Sequence, residues 1–417
     1  MKERIKKNYP WVIAAIIFLE TIVYGGIINS INIYTVPITE DLSVSRGIYT
    51  LSGIPYGILS FLSALITGFL LRKFGYKRVT LVSLLLTSAG CLGMSVSPGL
   101  IGLALGRSLI GIAFGMCFTA GAVWIIKQWF RKHLGLVLGL ISMASGLGGS
   151  IMSYGLSYLT IHYGWRTALL IESIFPAIIA LLYLFVYDRP EAISTVPYGD
   201  GQFTAKRLRP ENQWAGQTLK ELYRQPLFYL MCITTLVSTM CVYTTSTVIN
   251  PHFQDNGYSQ TAAASFDSTL MLSLAFLKLL MGWVSDRYGA KTVALICIIS
   301  TAIGQWLLAD VSSPALSYIA VIIFSAGLCL TSIVIPLVAL PLFGYRGSIE
   351  INGIIVSMSA LSSLITGPIC NFIYDRIGTY SPSFKVAAVL QVSLVAVYLA
   401  MFAMAKKLRQ KELAQKQ

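Results

Sequence analysis

The chain has 417 residues, 55% of them hydrophobic and only 12% charged, with a mean hydropathy of +0.71. Soluble globular domains are about a quarter charged, so this composition excludes a water-soluble enzyme and points to a bilayer protein. The formal net charge of +14 needs no nucleic-acid partner, because basic loops facing anionic lipid headgroups account for it.

About twenty apolar residues cross a bilayer, and stretches of that length recur along the whole chain. In order they fall at 11–36, 48–71, 79–96, 100–126, 134–160, 166–187, 226–250, 261–284, 292–309, 316–341, 351–374 and 384–404. The first is too long for a signal peptide and has no cleavage pattern, so it counts as a membrane helix. The polar connection 188–225 contains Pro190, Pro197, Pro210 and six basic residues. It divides the chain into a bundle over 1–187, a cytoplasmic linker over 188–225, and a second bundle with a short tail over 226–417. The expected fold is an all-α membrane protein of twelve transmembrane helices in two six-helix bundles.

Basic residues set the orientation. With both termini in the cytoplasm, 25 of the 31 Lys and Arg lie inside, and only Arg46, Arg166, Arg376 and Lys385 lie outside. That asymmetry follows the positive-inside rule. Arg107 and Lys278 fall within spans. The seven cysteines all lie in apolar spans without a CxxC pair, so neither a disulfide nor a metal site is expected. The sequence contains no nucleotide loop or triad spacing, and no cofactor is expected.

One short motif occurs twice, 214 positions apart. Gly68 opens the first copy, which runs through Arg72, Lys73, Gly75, Lys77 and Arg78; Gly282 opens the second, with Asp286, Arg287, Gly289 and Lys291. A duplicated, mostly apolar half is the mark of a transporter built from two related bundles. The pattern resembles the loops between helices 2 and 3 and helices 8 and 9 of the major facilitator superfamily. Arg72 stands where the family pattern has an aspartate. Ser43-Val44-Ser45-Arg46, Trp129-Phe130, Gly164-Trp165-Arg166, Asp188-Arg189-Pro190-Glu191, Thr218-Leu219-Lys220-Glu221 and Gly367-Pro368 resemble, in order, the monocarboxylate transporter and oxalate/formate exchanger branch. The resemblance covers almost the whole chain.

Charges inside a bilayer cost several kcal/mol unless they are paired or face water, and five stand out: Glu20, Arg107, Glu172, Asp267 and Lys278. Lys278 precedes Gly282 by four residues, where the resembling family commonly has a substrate-contacting arginine. The resemblance therefore implies that Lys278 binds a substrate carboxylate, without arginine's two-pronged fork. The competing reading is a lysine that reaches the helix end about 9 Å away. Asp267, eleven residues earlier, returns to within about 20° of the same face but lies about 16 Å along the axis. Arg107 and Glu172 share a depth of roughly 10 Å from the outer helix ends, which predicts a structural ion pair. Glu20 and Asp267 then compete for Lys278, and an unpaired carboxyl in low dielectric favours its protonated form. Both are proton-coupling candidates, and so is His252, which could instead be a solvated loop histidine. Polar contacts to substrate are expected from Asn29, Tyr24, Asn352, Ser357 and Ser359, with Phe118 where relatives often show tyrosine. Glycines 139, 146, 148, 149 and 155 should make span 5 thin for close helix packing.

Together these features predict a multi-pass plasma-membrane secondary transporter, not an enzyme. It would move a small organic anion of the lactate, pyruvate or formate type by alternating access as a monomer, with protons as the candidate coupling ion. The alternatives are an oxalate/formate-type exchanger or an effluxer of another organic solute on the same fold.

Overall fold

The computed structural model describes residues 2–117, 120–130, 132–193, 195–199, 219–311, 313–330, 338, 342–343 and 348–414. They are overwhelmingly helical: with no water in the bilayer core, backbone N–H and C=O groups must be satisfied within each helix. Among the described residues, eight helical stretches are long and apolar enough to cross a membrane, and Leu100–Met116 and Pro314–Cys329 are shorter apolar helices.

Close packing divides the chain into two compact units: Met1–Lys206 with Tyr258–Ala275, and Arg207–Gly257 with Phe276–Gln417. In the first unit, α1 (Lys2–Asn29) leads through a short 3-10 turn to α2 (Thr35–Asp41), followed by α3 (Arg46–Leu51), α4 (Ile54–Phe74), α5 (Tyr76–Ser95), α6 (Leu100–Cys117), α7 (Ala120–Trp129) and α8 (Leu134–Leu182). Gly164, at φ 81°, breaks α8 into two consecutive helices. The second unit begins with α9 (Leu219–Leu222), α10 (Pro226–Ser246) and α11 (Ile249–Asp255). Next comes α12 (Gln260–Tyr288), whose first part packs in the first unit. The second unit ends with α13 (Ala290–Leu308), α14 (Pro314–Cys329), α15 (Ser348–Ile377) and α16 (Ser381–Ala414).

Small residues set the closest approaches. A Cβ on Gly25 would lie 2.5 Å from the Ser145 Cα, and one on Gly148 would strike the Ile22 carbonyl, so α1 and α8 meet backbone to backbone. Lipid tails give apolar helices no reason to separate from lipid, and such close van der Waals contact is what holds them together. Gly146 approaches Met271 in the same way, whereas Gly155 has nothing within 4 Å.

The 214-residue offset read from the motif runs through the backbone. Gly75 and Gly289 adopt positive φ, as do Gly164 and Gly378, again 214 apart. Within each pair of copies the second glycine follows the first by 89 residues. Ser43 and Gly257 share the left-handed region at the same offset. Two residues on, Ser45 accepts the Ile48 N–H at 3.3 Å and Ser259 the Ala262 N–H at 3.2 Å. The fold thus repeats its helix-ending turns, as expected of halves that each contain two three-helix repeats.

Part of the linker is docked on the first unit. Tyr198 donates its N–H to the Trp129 carbonyl at 2.8 Å and receives the Lys132 N–H at 3.1 Å. Its ring packs edge-on against Trp11 at 5.7 Å.

Candidate functional site

Three buried charged groups of the first unit are each held by hydroxyls. Glu20 on α1, 4% exposed, accepts the Tyr76 hydroxyl at 3.1 Å and also that of Tyr183. The two phenols lie 3.0 Å apart, so the carboxyl closes a three-membered cluster between α1, the start of α5 and the end of α8. Glu172 on α8 accepts the Tyr34 hydroxyl at 3.0 Å. Arg107 on α6 donates to Ser52 Oγ at 2.9 Å and to the Tyr49 hydroxyl, and its guanidinium stacks 4.5 Å above the Tyr49 ring.

The expected Arg107–Glu172 ion pair therefore does not form. Among the described residues the recorded ion pair is Arg166–Asp41 at 2.6 Å, on the surface. Equal depth leaves the rotation of each helix about its axis open, and here the two side chains find tyrosines on different neighbours. Tyr49, Ser52, Tyr34, Tyr76 and Tyr183 were not legible as partners, because 55 to 163 residues separate them from the charges they hold.

A fourth carboxyl, Asp267, lies on the part of α12 that packs in the first unit and is fully buried. It accepts Ser153 Oγ at 2.6 Å and Asn32 Nδ2 at 3.4 Å. Nearby, Ser268 donates to the Ser150 carbonyl at 2.8 Å, and Ser157 to the Gln260 carbonyl at 3.2 Å. These hydrogen bonds form a polar ladder along α8 and α12, with Asp267 as its ionisable rung.

The other expected substrate contacts divide between the units. Tyr24 is buried, with its hydroxyl hydrogen-bonded to Ser83 and Thr87 on α5. Asn29 donates to the Ser145 carbonyl at 3.2 Å. Lys278 lies half-buried on α12, within electrostatic range of Cys329 at the end of α14, while Ser357 and Ser359 are half-buried on α15. Phe118 and the side chains of Asn352 and Asp286 lie outside the described residues.

His252 is not a solvated loop histidine. The chain forms α11 here and buries the ring at 1% exposure against Phe384, 4.7 Å between centroids. Its Nε2 meets the Leu308 carbonyl at 2.8 Å, and because that oxygen only accepts, Nε2 carries the proton. Burial pushes the pKa down to about 4, against weaker opposing effects of the Leu308 carbonyl and Asp255. The imidazole is therefore neutral at ordinary pH and serves packing.

The two motif copies also differ in environment. The Lys77 N–H, at the start of α5, donates to Asp188 Oδ1 at 2.7 Å, and Lys77 Nζ donates to the Leu184 carbonyl. Arg72 is exposed and Gly68 has open space beside it. In the second copy a Cβ on Gly282 or Gly289 would meet nothing within 4 Å, and Arg287 stacks on Trp283 and Tyr288.

Comparison with known proteins agrees with this architecture. The family model of the Major Facilitator Superfamily matches residues 13–254 and 231–416. Monocarboxylate transporter 11 of Mus musculus is 23% identical over 402 residues, covering 94% of this chain and 87% of the relative. An uncharacterised MFS-type transporter of Bacillus subtilis (strain 168) is 22% identical over 301 residues, 70% of this chain and 69% of its own. Among solved structures, a point mutant of a nucleoside transporter superposes with a TM-score of 0.73 at 14% identity, covering 94% of this chain and 99% of that one. A D-xylose-proton symporter gives 0.71 at 13%, covering 94% and 97%. The chain belongs to the Major Facilitator Superfamily and is a multi-pass membrane transporter, not an enzyme.

Proposed function

We propose that this chain moves a small monocarboxylate such as lactate, pyruvate or formate across the plasma membrane by alternating access, coupled to protons, as a twelve-span monomer with both termini in the cytoplasm. The observation that carries the reading is the position of Lys278, a cation inside a span four residues before Gly282, where the family resemblance places a group that contacts the substrate carboxylate. Arg107, the other cation inside a span, donates to Tyr49 and Ser52 within the first unit. The likeness to a monocarboxylate transporter over 94% of the chain supports the same cargo class. A single ammonium suits a monoanion better than a dianion.

For the proton, Asp267 is the first candidate. It shares a helix with Lys278, and it is held by a hydroxyl and an amide with no base within ion-pair distance among the described residues. A carboxyl in that setting can gain and lose a proton without breaking a salt bridge. Glu20, held by two phenols, is the second. His252, neutral and packed, contributes structure to this scheme rather than proton transfer.

The test is labelled lactate uptake into proteoliposomes, with and without an inward proton gradient. Wild type should accumulate lactate when the gradient is imposed and Lys278→Gln should not. Asp267→Asn should lose gradient-driven accumulation yet keep lactate–lactate counterflow. Unchanged uptake by Lys278→Gln would remove the lysine from the site. No lactate movement by wild type in either assay would retire this substrate.

A further inference from the structure

On the second unit a groove of about 530 Å³ runs along α13, lined among the described residues by Lys291, Thr292, Leu295, Ile296, Ile299 and Ser300. The spacing is that of one helical face, and the stripe covers about 13 Å of axis. One end presents an ammonium and a hydroxyl. The rest is hydrocarbon, with Ile296 39% and Ile299 47% exposed. Charge at the helix start and an apolar track beyond it follow the layout of a phospholipid at a bilayer surface.

The internal repeat shows what the charged end lacks. In the first copy the Lys77 N–H is bonded to the carboxylate of Asp188. The 214-residue offset carries Lys77 to Lys291 and Asp188 to Phe402, and these two are again neighbours, with Lys291 Nζ 6.0 Å from the Phe402 ring centroid. The ring has replaced the carboxylate. Gly289, the N-cap of α13, supplies no side-chain hydrogen bond. One turn beyond Phe402 on α16, exposed Lys406 and Lys407 add further positive charge, with Arg409 after them. The first copy thus closes its helix start with an internal carboxylate at the Lys77 backbone N–H, while the Lys77 ammonium turns to the Leu184 carbonyl. The second sets a lysine and a basic helix end beside an open apolar groove.

We propose that this groove binds an anionic phospholipid. Its phosphate sits against Lys291, in the position that Asp188 fills in the first copy, and an acyl chain lies along Leu295, Ile296 and Ile299. A zwitterionic lipid brings its own ammonium to a site already rich in cations. A free phosphate ester satisfies the charged end alone. Basic pockets between helices at the cytoplasmic face are where such headgroups are held.

The experiment uses the full chain purified in detergent and offered phosphatidylglycerol, phosphatidylcholine or glycerol phosphate. Retained lipid is read by native mass spectrometry and stabilisation by melting temperature. Wild type should retain phosphatidylglycerol at least about fivefold over phosphatidylcholine, and Lys291→Gln should bring that ratio close to one. Phe402→Asp, which restores the carboxylate beside the lysine, should also abolish the preference while melting no lower than lipid-free wild type. Should that variant not fold, Lys291→Gln decides alone. Equal retention of the two lipids by wild type, or an unchanged ratio in Lys291→Gln, overturns the proposal. So does stabilisation by glycerol phosphate that matches the lipid. None of these readouts depends on what the protein transports, so failure here leaves the substrate reading intact.

Discussion

Gly75 and Gly289 hold nearly the same backbone, φ 80° and ψ 163° in one and φ 82° and ψ 159° in the other. Their surroundings differ. A Cβ on Gly75 would collide with the Asp188 carboxylate, whereas one on Gly289 would meet nothing within 4 Å. The two copies share a frame and differ in the chemistry hung on it. The same holds for the buried charges. Moved by 214 residues, Glu20, Arg107 and Glu172 fall on Thr234, Val321 and Val386, and Asp267 and Lys278 fall on Gly53 and Ala64. None of these five intramembrane charges is duplicated. Duplication explains the helices and turns, whereas these ionisable groups differ between the halves.

The two halves should part most clearly at the glycines. This region of positive φ with extended ψ is essentially reserved for glycine, at about 1–3 kcal/mol for another residue. Gly289→Ala should incur that strain alone. Gly75→Ala should add the loss of the Asp188 cap, up to about 4 kcal/mol in all, and should melt lower in detergent. Equal melting points for the two variants would mean that Asp188 contributes nothing at this turn.

A second difference between the halves is acid sensitivity at His252, whose offset partner is Ile38. Its folded pKa is depressed to about 4 from the ordinary 6.5. Protonation therefore favours the unfolded chain: the stability is fully present above pH 6.5 and is lost as pH falls toward 4. The window is worth about 3 kcal/mol. His252→Gln keeps a donor for the Leu308 carbonyl and should flatten the fall in melting temperature between pH 6.5 and 4. A fall as steep as that of wild type would place the acid-sensitive group elsewhere.

Smaller effects separate the halves further. Asp188→Ala should cost about 1 kcal/mol through the lost cap, with Asp188→Asn recovering part of it in the same melts. At the other end of the unit, Arg166 and Asp41 form a surface pair about 43% and 44% exposed. The offset counterpart of Arg166, Tyr380, is buried and donates to Asn371 at 2.7 Å. Asp41→Asn should cost under about 1 kcal/mol, less than removing the Tyr380 hydroxyl with Tyr380→Phe.

Much of this frame was legible in the sequence. Hydropathy marked the chain as a bundle of apolar helices, and one short motif exposed the 214-residue offset that Ser45 and Ser259, or Gly164 and Gly378, go on to obey. The hydroxyl partners were not legible. Depth along a helix says nothing about which way Arg107 points, and a tyrosine 58 positions away leaves no local pattern. His252 misled for a related reason: Pro251-His252 at a span end looks like a loop, but the proline sits early in α11, where a missing N–H costs little. Asp267 was placed correctly on the Lys278 helix, while Ser153 and Asn32 became visible only once helices far apart in sequence were brought together.

Transport in this scheme turns on Lys278 meeting the carboxylate of a small monoanion. Its most direct test is lactate binding to the purified protein by calorimetry, comparing wild type, Lys278→Arg and Lys278→Gln. Arginine should preserve or tighten binding, and glutamine should weaken it by roughly tenfold or more, as expected for a lost charged hydrogen bond. Equal affinity in all three proteins would contradict that role.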